Sequence, residues 1–173
     1  MLFRSIIASA KKGLRGCTIK FPKISVGATE NILIASCLAK GKTKLRNCAS
    51  EPEVKDLVKF LKKIGCNIRW VGPRSLDIIG VLEFKSTVHE VIFDRIEAGT
   101  YIIAAALTNG RLKIKNIDSK VISTEINLLQ KMGVRIIKRK NYIITQGTKK
   151  IKSINISTDR KSTRLNSSHT SIS

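Results

Sequence analysis

The sequence predicts an α/β (α+β) protein made of a repeated βαβαββ unit, present twice and incomplete as a set. Three observations predict it. Strand-like alternation and helix-like periodicity follow one another along the chain. An almost uncharged helical stretch twice precedes an amphipathic one. Glycine and asparagine landmarks return at a spacing of about 68 residues: Gly41 with Gly110, Asn47 with Asn116, Gly65 with Gly133, and Ile68 with Ile136.

The first copy starts at Cys17 to Phe21, where Cys17, Ile19 and Phe21 alternate with polar residues as in a strand. Ala28 to Leu38 carries no charge after Glu30, and a helix with apolar or small residues on nearly every face is buried on most sides. Gly41 ends it as a left-handed cap. Lys42 to Asn47 is a strand, with Thr43 and Leu45 on one face and Lys42, Lys44 and Arg46 on the other. Ser50 and Glu53 have capping-box spacing around Pro52, which opens the second helix without losing a donor. Val54, Leu57, Val58, Leu61 and Ile64 form its apolar stripe, and Gly65 stops it. Two short strands follow, near Asn67 to Val71 and Leu76 to Ile79, with a turn at Gly72-Pro73.

The second copy keeps this order. His89 to Phe93 reads as a strand, and Ala98 to Leu107 as the uncharged helix closed by Asn109-Gly110. Arg111 to Asn116 alternates. Val121 to Met132 is amphipathic, with Ile122, Ile126 and Leu129 inward, and Gly133 ends it. Val134 to Arg139 and Tyr142 to Thr145 are the closing strands. A helix buried on several sides needs more neighbours than two units supply, so further copies are expected outside this chain.

Composition narrows the function. The 173 residues are 42% apolar, enough for a core. No stretch is long enough to span a bilayer, and Met1 to Lys12 lacks signal-peptide order, so the default location is cytosolic. The net charge of +21 raises the possibility of a polyanion partner. The lysines are spread over the whole chain and alternate on strands, as on a solvated sheet face. Aromatics are only 5%, so a stacking platform is missing and nucleic acid is an unlikely partner. Cys17, Cys37, Cys48 and Cys66 form no C-x-x-C pair and have no histidine at zinc spacing, which predicts buried reduced thiols and no metal. His89 and His169 are isolated and read as structural. From Lys161 the chain turns rich in serine and threonine, a flexible or non-native tail; it is similar to translated sequencing-adapter read-through.

Three segments are specific in their order and spacing: Lys23-Ile-Ser-Val-Gly-Ala-Thr-Glu-Asn31, Glu51-Pro-Glu-Val54 and Asp94-Arg-Ile-Glu-Ala-Gly-Thr100. Together they resemble the UDP-N-acetylglucosamine 1-carboxyvinyltransferases, from about Ile6 to about Thr158. The resemblance implies a two-domain enzyme, each domain a pseudo-threefold set of βαβαββ units with the helices packed inside. Residues 1–92 would then close one domain, 93–159 would be the first unit of the next, and 160–173 would be a non-native or disordered tail. The hinge would fall at Phe93, where the family usually has proline. The implied reaction moves the enolpyruvyl group of phosphoenolpyruvate to the 3-hydroxyl of UDP-N-acetylglucosamine, with no metal or organic cofactor.

The resemblance makes Lys23, Ser25, Val26 and Gly27 the nucleotide-sugar-binding segment. Physical chemistry is compatible with that role: glycine lets backbone approach closely, helix-opening amides receive a diphosphate, and Ser25 and Lys23 add a hydroxyl and a positive charge. Without the resemblance, the same residues simply start a buried helix. Glu51 is either a carboxylate favoured by the helix dipole or a group facing the interdomain cleft. Asp94, Arg95 and Glu97 read as structural or domain-closing, with a cleft role open. No catalytic residue carries over. The reactive cysteine would lie upstream of the matched region and the basic aspartate shortly after Thr158, while Cys17 matches an ordinary strand position. Two other readings stay open: an enolpyruvylshikimate-phosphate synthase-like enzyme, and a small basic nucleic-acid-binding domain.

Overall fold

The computed structural model describes residues 9–155, so the tail from Lys161 lies outside the described residues. The chain divides into two compact units, one ending at Val91 and the other beginning at Ile92. The first runs β1 (Thr18–Lys20), α1 (Val26–Cys37), β2 (Lys42–Arg46), α2 (Pro52–Lys63), β3 (Asn67–Gly72) and β4 (Ser75–Ile79). Its sheet has the order β1-β2-β4-β3. The α1 crossover makes β1 parallel to β2, whereas the tight turn after Gly72 makes β3 and β4 an antiparallel hairpin. Alternation puts Thr43, Leu45, Ile68, Leu76 and Ile78 under the helices, where all five are buried. On the opposite face Asp77 holds Lys42 at 2.7 Å and Arg46 at 3.1 Å. These two cations keep its carboxyl below the usual carboxylate range.

The stripe predicted for α2 closes this core. Val54, Val58, Leu61 and Ile64 are buried with Leu33 and Cys37 of α1, and Leu57 packs at the margin. Each fully buried side chain of this size contributes roughly 1.5–3 kcal/mol. The second unit runs α3 (Arg95–Leu107), β5 (Arg111–Lys115), α4 (Ser123–Lys131), β6 (Arg135–Lys138) and β7 (Tyr142–Gln146). Its antiparallel sheet has the order β5-β7-β6. Ile102, Ile122, Ile126, Leu129, Ile136 and Ile143 form the core, including the three inward residues predicted for α4.

The repeat is visible in backbone geometry. Asn47 and Asn116 leave β2 and β5 with φ of 57° and 56°, the left-handed region asparagine tolerates. Gly65 and Gly133 stop the amphipathic helices with φ of 108° and 95°. A clasp that sequence reading missed also repeats. Gly80, after β4, donates its N–H to the Gly41 carbonyl at 3.3 Å; Gly147, after β7, donates to Gly110 at 2.8 Å. A Cβ at Gly80 would collide with the Ala39 carbonyl oxygen, and one at Gly147 would lie 2.5 Å from the Asn109 Cα.

Several sequence expectations need correction. His89 to Phe93 forms no strand. Its partly buried His89 is tied instead to α2, with Nε2 at 3.0 Å from the Asp56 carboxylate and the ring tilted against Phe60. The described part of the second copy therefore lacks its leading strand. Ser50 and Glu53 form no capping box: Glu51 is the N-cap of α2 and Pro52 its first residue, so Ser50 lies one position too early. Gly41 does not cap α1, which ends at Cys37 with Leu38 as C-cap. Gly41 (φ 89°) instead leads into β2. Asn109, not Gly110, takes the left-handed position after α3. Cys17 is exposed just outside edge strand β1, while the other three thiols are buried. Burial, with Cys66 beside it, pushes the Cys37 thiol far up and keeps it neutral.

Burial of the first helices is one-sided within each unit. Ile34 and Leu38 are 49% and 51% exposed, and Ile103 and Leu107, at the equivalent positions of α3, are 47% and 70% exposed. These pairs stand one helical turn apart on a single face.

Two outcomes follow. Gly80→Ala and Gly147→Ala, each carried in a full-length protein that supplies further units and measured by chemical denaturation, will each destabilise by about 3 kcal/mol or more, because backbone rather than a flexible side chain must yield. The isolated chain will aggregate or unfold without a sharp transition in a thermal scan, because both helix faces are bare.

Candidate functional site

The residues predicted to bind a ligand gather at the start of α1. Ser25 is its N-cap, with extended backbone (φ −144°, ψ 125°), so the helix begins two residues earlier than the periodicity indicated. Ser25 Oγ accepts from the Ala28 N–H at 3.3 Å. Among the described residues the amides of Val26 and Gly27 have no acceptor, so they face outward as donors at the positive end of the helix dipole. The first turn contains no acidic residue. A Cβ on Gly27 would meet nothing within 4 Å, so the chain's own packing does not demand glycine there. Its absence keeps the approach to the amides open. Lys23 is exposed two residues before the cap. The arrangement can receive an anion with two oxygens: two amides, a hydroxyl and a nearby ammonium.

The equivalent end of α3 is closed. Asp94 is its N-cap, and Oδ1 accepts from the Ile96 N–H at 2.7 Å and the Glu97 N–H at 3.1 Å. This carboxylate takes the Ile96 amide, the counterpart of the open Gly27 amide, and Glu97 adds a second negative charge in the first turn. Arg95 Nη1 lies 3.9 Å from Glu125 of α4, inside the same unit. Asp94, Arg95 and Glu97 thus share the first turn of one helix. The shape Asp94-x-x-Glu97 is a cap signature that could have been read from the sequence.

Glu51 is the N-cap of α2 without bonding that helix through its side chain. Its Oε2 accepts from the Ser50 N–H at 2.8 Å instead. Thr29 links this loop to the α1 start: its hydroxyl donates to the Ser25 carbonyl at 2.7 Å and accepts from the Ala49 N–H at 2.9 Å. Sequence reading passed over Thr29 because it lies inside an apolar helix.

A cavity of about 480 Å³ lies elsewhere in the first unit, lined by Glu30, Glu53, Asp56, Phe60, Thr87 and His89 among others. Burial pushes the Glu30 carboxyl up, and the Glu53 carboxylate adds to it. Among the described residues no group of three or more His, Cys, Asp or Glu side chains could hold a metal ion. No described helix is long and apolar enough to cross a membrane.

Solved structures similar to this chain include an enolpyruvyl transferase and an EPSP synthase. The enolpyruvyl transferase NikO from Streptomyces tendae superposes with a TM-score of 0.71 at 26% identity, over 80% of this chain and 36% of its own. EPSP synthase from Acinetobacter baumannii gives 0.61 at 19% identity, over 84% of this chain and 34% of its own, a likeness of fold alone. The chain belongs to the EPSP synthase (3-phosphoshikimate 1-carboxyvinyltransferase) family, whose model matches residues 3–162.

The UDP-N-acetylglucosamine 1-carboxyvinyltransferase of Pelagibacter ubique is 63% identical over 151 residues, which is 87% of this chain and 36% of that protein. The one from Endomicrobium trichonymphae is 44% identical over the same length. The chain therefore spans about 36% of the length of these relatives.

The caps are separable by substitution. In a full-length protein that supplies further units, Asp94→Ala will cost about 1–2 kcal/mol in denaturant unfolding and Ser25→Ala about 0.5 kcal/mol, because Asp94 satisfies two amides with a charge and Ser25 one through a long bond.

Proposed function

We propose that this chain is the nucleotide-sugar-holding part of an enzyme that transfers the enolpyruvyl group of phosphoenolpyruvate to the 3-hydroxyl of UDP-N-acetylglucosamine. In that reaction the sugar hydroxyl oxygen bonds to C2 of phosphoenolpyruvate. The C2–O bond to phosphate breaks, and the hydroxyl proton leaves to balance the released inorganic phosphate. The product would feed peptidoglycan precursor synthesis in the cytoplasm, and so cell-wall growth and division.

The observation that carries the reading is the contrast between the two helix ends. Gly27 and Val26 offer unspent amides behind a neutral serine, and Lys23 precedes them, whereas Asp94 takes the Ile96 amide that corresponds to Gly27 and places a carboxylate at the cap. A diphosphate fits the first end and is repelled by the second. The names of the relatives supply the acceptor sugar. Residues 1–92 would complete one domain and 93–159 begin its partner, with the hinge at Phe93-Asp94. Glu51, Asp94, Arg95 and Glu97 would then border the cleft. The bare faces of α1 and α3 would be covered by further units of the same kind. The catalytic groups would come from outside this chain.

The test uses a chimera in which the 151 matched residues of this chain replace their counterparts in the Pelagibacter ubique relative. The chimera will release phosphate from phosphoenolpyruvate with UDP-N-acetylglucosamine as acceptor and not with shikimate 3-phosphate. Ser25→Asp, which installs the cap of the second unit in the first, will preserve the melting temperature and weaken nucleotide-sugar binding on the order of a hundredfold. Turnover with shikimate 3-phosphate, or unchanged affinity in Ser25→Asp, would overturn the reading.

A further inference from the structure

We infer that Thr29 is the positioning residue of the candidate diphosphate site, holding the first turn of α1 rigid from inside so that its outward amides stay open. The inference rests on the function proposed above. A helix start that receives a ligand has two conflicting needs. Its first turn must not fray, which ordinarily calls for a strong side-chain cap, and a strong cap consumes the amides that the ligand would use.

The two units meet this conflict differently. In the second, the Asp94 carboxylate fixes the turn from the solvent side and closes it. In the first, the outer cap is one long bond from Ala28 to Ser25. The Ser25 carbonyl is held instead by both the N–H and the hydroxyl of Thr29, at 3.0 Å and 2.7 Å. The same hydroxyl accepts from Ala49 in the loop ahead of α2. Thr29 is fully buried, so these bonds do not compete with water. Through them the cap residue, the Val26 and Gly27 amides and the loop leading to Glu51 form one body.

The fold itself does not demand this hydroxyl. The equivalent residue in the second unit is Ala98, also buried, and α3 forms and packs without it. The hydroxyl occurs in the unit whose helix end is open and is replaced by a methyl group in the unit whose helix end is closed.

In the chimera, Thr29→Ala and Thr29→Val will raise the KM for UDP-N-acetylglucosamine on the order of tenfold, leaving kcat and the KM for phosphoenolpyruvate within about twofold. Thr29→Ser, which keeps the hydroxyl, will restore the KM. Thr29→Ala copies the natural state of the second unit and so guards against a Thr29→Val protein that does not fold. If Thr29→Ala lowers the melting temperature while the nucleotide-sugar KM stays unchanged, Thr29 is merely structural and the inference fails alone. If the unsubstituted chimera does not use the nucleotide sugar, the functional reading fails and the inference with it.

Discussion

A helix with almost no charge has to be covered on more sides than one sheet and one neighbour provide, and the rest of each unit is arranged around that requirement. In the first unit Leu33 and Cys37 of α1 are fully buried between sheet and α2, and in the second Ile102 and Ala106 of α3 occupy the same place. The amphipathic helices α2 and α4 can afford lysines outward because their single stripe is fully used. The first helices have no such outward side, and Ile34, Leu38, Ile103 and Leu107 remain bare where further cover is needed. Charge on the outer sheet faces supplies solubility where the helices supply none.

The same requirement places the candidate site. A helix buried along its length presents to a ligand only its end, and an end is where backbone donors go unused. The units differ in what they do with that end. Ser25 and Asp94 occupy equivalent positions in units of one design, yet Ser25 bonds one amide and leaves that of Gly27 open, while Asp94 bonds two, including its Ile96 counterpart.

Element type and order were legible because they follow from periodicity and punctuation, which are local. Val54, Val58, Leu61 and Ile64 are buried as their spacing required, and Gly65 and Gly133 stop their helices in the left-handed region. What escaped reading depends on partners distant in sequence. His89 to Phe93 alternates like a strand, but His89 is held by Asp56 of α2, and alternation cannot show which edge a segment will find. Thr29 was hidden because its second bond goes to Ala49. The residues of the candidate ligand segment were recognisable as a motif. Which of their donors stand open could be read only once the caps were seen in three dimensions.

The glycine clasps have a consequence for how such a chain can grow. In the first unit the segment leading in, at Gly16, bonds the Lys40 carbonyl, and the segment leading out, at Gly80, bonds Gly41 beside it. The way in and the way out of the unit thus meet at one bend of the chain, between α1 and β2. A module whose two ends emerge together can be duplicated head to tail, or reopened elsewhere and rejoined, without cutting its sheet. Gly147 ties the end of the second unit to its own corresponding bend at Gly110. Lengthening by tandem copying is thus compatible with the backbone of the first unit, where entry and exit share one bend.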